Sequence, residues 1–162
     1  MKKIFAVLLT LTLVLSLAAC GKTDGGAAQT APDLNQYFED FMSSLGEENA
    51  PAMMDLEGQL LEAAYPGLSE YRTKQSVLKA AAISSVPYEF ALVELENEAD
   101  AKAVAEIFQS RIDSQTAGGA FYPDTIAGWE KATVITQGNV AALICASADQ
   151  DAAVDAFRAL FQ

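Results

Sequence analysis

From Ile4 to Ala19 the chain runs 16 residues without a charge, preceded by Lys2 and Lys3 and closed by Leu17-Ala18-Ala19-Cys20-Gly21. That arrangement decides which part of the chain is available to fold. A basic start, an apolar middle and small residues ahead of a cleavage point are the parts of an export signal. Sixteen residues also fall short of the roughly 20 that a spanning helix needs. Residues 1–19 are therefore read as a signal peptide, and the fold is sought in the remainder of the chain.

The box ending in Cys20 resembles the cleavage site of a bacterial lipoprotein. On that reading Cys20 is the lipid attachment residue, carrying a covalent diacylglycerol with or without an added N-acyl chain. Residues 20–32 form a tether, with no large apolar side chain to bury between Gly21 and Pro32. The expected location is the extracytoplasmic face of the cell membrane, held there through the lipid anchor. Residues 33–162 are expected to form one globular domain, a normal size for a single core.

Without residues 1–19 the chain has 8 Lys and Arg against 22 Asp and Glu, a formal charge of −14. A surface of that sign repels phosphate backbones, so no nucleic acid is expected as a partner. Any protein or small-molecule partner is left unnamed by the sequence. With Cys20 assigned to lipid, Cys145 has no cysteine to pair with, and alternation groups it with Ala141 and Leu143 on a buried strand face.

Hydrophobic periodicity supplies the elements. Asp33 followed by Gln36 resembles a capping box, and Leu34, Phe38, Phe41 and Leu45 recur on one helical face up to Gly46. Met53, Leu56, Leu60 and Ala64 predict a second helix, interrupted by Gly58 and stopped by Tyr65-Pro66-Gly67. Alternation predicts strands over Val77 to Ser84 and Tyr88 to Glu96. Asn97 then caps a helix with Glu98 and Asp100 in its first turn. Strands over Ala132 to Thr136 and Val140 to Ala146 flank Gly138-Asn139, a dipeptide suited to a tight hairpin. Val154, Phe157, Leu160 and Phe161 mark a C-terminal helix opened by Ser147 or Asp149. The order predicts an α+β fold: a four-stranded, mainly antiparallel sheet of two β-β-α units, helices packed on one face, preceded by one or two N-terminal helices.

Pro87-Tyr88-Glu89-Phe90-Ala91, Gln109-Ser110-Arg111 through Gln115, Tyr122-Pro123 and Gly138-Asn139-Val140 carry a wider likeness. Over about half its length the chain resembles domain-of-unknown-function family four-three-five-eight, uncharacterised lipoproteins chiefly from Gram-positive bacteria. The resemblance implies an anchored extracytoplasmic domain and supplies no reaction.

The chain has no His, which removes Ser-His and Cys-His nucleophile pairs and imidazole metal sites. Glu94 and Glu96 share a strand face and form a possible acid and base pair, but solvation at a strand end explains them. Asp149-Gln150-Asp151 lacks the spaced acids and Gly of a calcium loop, and helix capping accounts for it. Phe121-Tyr122-Pro123 and Trp129 suit a binding platform or, more simply, core packing. No catalytic residue and no metal ligand is assigned. The unusual feature is Arg111 with Gln115, both placed on the apolar stripe of the helix after Asn97. A guanidinium there needs a carboxylate, several carbonyls, a route to water or a ligand. The sequence thus predicts a binding or interaction module, with an envelope enzyme using carboxylates or a metal ion as the alternative.

Overall fold

The structure, a computed structural model, describes residues 31–162. Cys20, the signal peptide and nearly all of the tether lie outside the described residues. No helix among those described is long and apolar enough to cross a membrane.

Five antiparallel strands form one open sheet: β1 (Met53–Asp55), β2 (Thr73–Ala81), β3 (Tyr88–Leu95), β4 (Thr133–Gln137) and β5 (Val140–Ala146), in the spatial order β1-β2-β3-β5-β4. The two central strands are also the most apolar. Phe90 to Val93 and Ala141 to Ala146 are all fully enclosed, because both faces of the sheet are covered. On one face Ala91, Val93, Ala141, Leu143 and Cys145 meet α2 (Gly58–Ala64), α3 (Glu98–Ser114) and α4 (Pro123–Lys131). On the other, Phe90, Leu92, Ala142 and Ile144 meet α1 (Leu34–Ser44) and α5 (Gln150–Ala159).

Two expectations are corrected here. The sheet has five strands, not four, since the stretch read as one helix from Met53 divides into β1 and α2. Gly58, at φ +53°, makes the break, and β1 instead pairs with Lys79 to Ala81 of β2, where Lys79 Nζ lies 2.6 Å from Asp55. The helices pack on both faces, not one, because β3 and β5 are apolar on alternate residues of both parities and each face needs cover. The β2-β3-α3 and β4-β5-α5 units are present, with α4 inserted between them.

Local signals mostly act as the chemistry demands. Asp33 accepts from the backbone N–H groups of Asn35 and Gln36 at 3.0 Å, while the Gln36 amide turns to Asp40 and leaves the capping box half made. Asn97 accepts from Asp100 N–H at 3.0 Å and starts α3. The β4–β5 turn puts Gly138 at φ +57°, the left-handed first central position that glycine fills without steric cost. Asp149 does not cap α5 with its side chain, for its carboxylate accepts from the Tyr88 hydroxyl.

Candidate functional site

Arg111 leaves α3 beside the buried stripe of Ala101, Val104, Phe108 and Ile112 and reaches the sheet. There it meets Glu89. The residues of β3 alternate between faces, which sets Glu89 on the same side as Ala91 and Val93, beneath α3. Arg111 Nε donates to Glu89 Oε1 at 2.9 Å and Nη2 donates to Oε2 at 2.8 Å, a two-point fork that fits the planar geometry of both groups. Tyr65, wholly buried just after α2, donates its hydroxyl to Glu89 Oε1 at 2.5 Å. Its ring stands edge-on to Phe108. Trp129 of α4 closes the far side, its ring 5.2 Å from the Arg111 guanidinium carbon, within reach of a cation–π attraction.

Glu89 is 3% exposed, and a carboxylate so enclosed needs every bond it makes. It receives three. Desolvation pulls the Arg111 pKa down, but hydrogen bonding and charge from Glu89 outweigh it and the guanidinium is held more firmly protonated than usual. Burial raises the Tyr65 phenol well above its ordinary range, and the Glu89 charge and hydrogen bond add to that. Across the sheet from Glu89 lies Cys145, whose thiol donates to the Pro87 carbonyl at 3.3 Å. Burial, then the Glu89 charge, pushes this thiol up to about 12, so it stays neutral and unreactive.

One part of this cluster faces outward. Arg111 lines a groove of about 300 Å³ with Ala64, Pro66, Ile107, Ser110 and Ser114. With Nε–H and one Nη2–H bound to Glu89, three N–H groups of the guanidinium, one on Nη2 and two on Nη1, carry no side-chain partner among the described residues.

Gln115 does not join Arg111. It begins a π-helical turn over Gln115–Gly119 in which Ala120 N–H donates to its carbonyl at 2.9 Å. A Cβ on Gly119 would lie 2.7 Å from Gln115 Nε2, so the amide is folded over that turn. The other candidates separate as well. Glu94 accepts from Gln75 at 2.9 Å and from Asn139 at 3.2 Å, and Gln75 also accepts from Leu34 N–H at 3.1 Å. It ties α1 to the sheet, whereas Glu96 is exposed. Asp149 is taken by Tyr88. Trp129 is buried, as core packing requires, while Phe121 and Tyr122 are exposed. Among the described residues no three acidic or thiol side chains converge as a metal's ligand set would.

Sequence reasoning missed Glu89, Tyr65 and Trp129 as partners of Arg111. The signal was present in Glu89 itself, which alternation sets on the same strand face as Ala91, Val93 and Leu95, to be matched with the lone charge on the apolar stripe of α3. The family model for a domain of unknown function (DUF4358) matches residues 46–146. The chain belongs to that family. The match spans all five strands and every member of the Glu89 cluster, and it stops short of α1 and α5. No curated protein and no solved structure matches the chain.

Proposed function

We propose that this chain is a lipid-anchored extracytoplasmic binding module, not an enzyme, and that the groove beside Arg111 receives its ligand. The observation that carries the reading is the closure of Glu89. Its two oxygens accept from three donors and it is 3% exposed, which keeps the most deeply buried carboxylate among the described residues engaged and out of reach of a substrate. Arg111 is fixed by the same bonds, and its charge is matched at close range. A pre-positioned guanidinium whose charge is already neutralised suits a carbonyl, amide or hydroxyl acceptor better than a free anion. The apolar sides of Ala64, Pro66 and Ile107 would cover the rest of such a ligand.

The anchor is tested by intact mass spectrometry of protein recovered from bacterial membranes. The mature chain should begin at an acylated Cys20 and enter the detergent phase, and Cys20→Ala should not. A mature chain starting elsewhere overturns the anchoring. The groove is tested by filling it: Ser114→Trp should abolish capture of native-membrane partners while leaving stability within about 0.5 kcal/mol, as for an exposed position. Unchanged capture overturns the groove assignment.

A further inference from the structure

On the face covered by α5, a groove of about 450 Å³ opens between the junction of α4 with β4 and the length of α5, from Gln150 to Arg158. We infer that it is an oxyanion-binding site for a phosphate or carboxylate group, held by Lys131 and Arg158. Both cations line the groove, and neither lies within ion-pair distance of an acid among the described residues, where Lys74, Lys79 and Arg111 each do. On a chain with formal charge −12, two cations left unpaired beside one cavity stand out from the general acidity.

The floor of the groove is built. Gln150 is 5% exposed. Its Oε1 accepts from Ala146 N–H at 2.8 Å, and its Nε2 donates to the Ile144 carbonyl at 2.9 Å and to Thr133 Oγ1 at 3.2 Å. Thr133 in turn donates to the Lys131 carbonyl at 3.2 Å. The buried amide thus fixes the start of α5, the end of β5 and the backbone that carries Lys131. Ser147, which lines the groove, holds φ +49°, a conformation in which glycine would be unstrained.

Asp151 shares the lining and lies seven residues before Arg158 on the same side of α5. It opposes an anion placed near the helix start, so the oxyanion belongs toward Lys131 and Arg158. A ligand carrying an ammonium or hydroxyl as well would set that group against Asp151.

The probe is inorganic phosphate, titrated into the full chain in detergent micelles and followed by amide NMR. Saturable shifts are expected at Lys131 to Thr133 and around Arg158, with affinity lowered about tenfold or more in the Lys131→Ala/Arg158→Ala double variant, as for loss of charge-assisted bonds. Asp151→Asn should bind phosphate more tightly. Because Lys131, Asp151 and Arg158 are exposed, these variants should fold. Absence of saturable shifts by about 50 mM, a concentration well above a millimolar Kd, overturns the site, as does equal affinity in the double variant. Acetate in place of phosphate reads the preference between carboxylate and phosphate. Sedimentation with phosphatidylglycerol vesicles separates sources: binding lost in the double variant assigns a lipid headgroup, and binding of free phosphate alone assigns a solute.

Discussion

Replacing Arg111 by Met should destabilise the domain by about 3–5 kcal/mol, the range for breaking a buried ion pair by removing one partner. The structure says why the value belongs in that range. Glu89 is 3% exposed and would keep only the Tyr65 hydroxyl, losing two charge-assisted bonds worth about 1.5–3 kcal/mol each before relaxation. Met fills much of the vacated volume and retains contact with Trp129, which offsets part of the loss. Against a total stability of roughly 5–15 kcal/mol, the variant should remain folded but with a large shift in its urea midpoint.

The reverse truncation is milder. In Glu89→Met the guanidinium, with its side chain 20% exposed, can turn toward the groove and water, so a loss of about 1–3 kcal/mol is expected. Removing both charges, as Glu89→Met with Arg111→Met, leaves no stranded charge, only the buried Tyr65 hydroxyl without its acceptor, and should recover most of the loss, short of the parent by about 1–3 kcal/mol. The assay is equilibrium urea unfolding of the four proteins at pH 7, read as a double-mutant cycle. A loss below about 1 kcal/mol in Arg111→Met, the range of a surface pair, with no coupling to Glu89, would refute the reasoning.

Cys145 should resist a bulky thiol reagent at pH 8 and react at once on unfolding. Its thiol is pushed up to about 12 in the fold from an ordinary 9.0, so it stays protonated where the unfolded chain releases its proton. Stability should therefore fall as pH rises above 9, a trend that Cys145→Ala weakens in alkaline denaturation. Gly128→Ala should cost about 1–3 kcal/mol by overpacking, since a Cβ there would lie 2.7 Å from Pro87 Cβ and closer still to its Cγ; thermal unfolding measures it, and an unchanged Tm would show that Pro87 yields freely.

How much the sequence made legible depends on how local each signal is. Strands β3 and β5, the Gly138-Asn139 turn and the helix after Asn97 are written in short-range alternation and capping, and they stand close to where those rules put them. β1 was hidden because three residues cannot show a period, and Met53 fits a helical face equally well. Which face each helix covers was hidden too, since a strand apolar on both sides does not say how many helices it needs. For the candidate site, Arg111 was legible as an anomaly on its helix. Its partner was not, because Glu89 is 22 residues away and only the crossing of α3 over β3 brings them together. Gln115 shares the register of Arg111 and yet parts from it, for the helix changes to a π turn at that residue.

The span of the family match bears on how the domain holds together. Residues 46–146 contain the whole sheet and the helices over the Glu89 face. The opposite face, with Val77, Phe90, Leu92, Val140, Ala142 and Ile144, is covered by Leu34, Tyr37 and Phe41 of α1 and by Ala153, Val154 and Phe157 of α5, all outside the match. Contiguous apolar area of that kind is not left open on a stable monomer, so the matched segment is part of a folding unit and not the whole of one. The two outer helices are joined to each other as well as to the sheet: the Tyr37 hydroxyl donates to the Ala153 carbonyl at 2.8 Å, and its ring stands edge-on to Phe157. Near the chain entry, Gln75 donates to the Pro32 carbonyl at 3.2 Å and accepts from Leu34 N–H, while Glu94 receives both Gln75 and Asn139. The described chain therefore enters the fold at the end of the sheet that carries the β4–β5 turn. Exposed Ile83 lies in the β2–β3 connection at the other end of β3, and that connection is tied to the start of α4 by Thr125 donating to the Ser85 carbonyl at 2.7 Å.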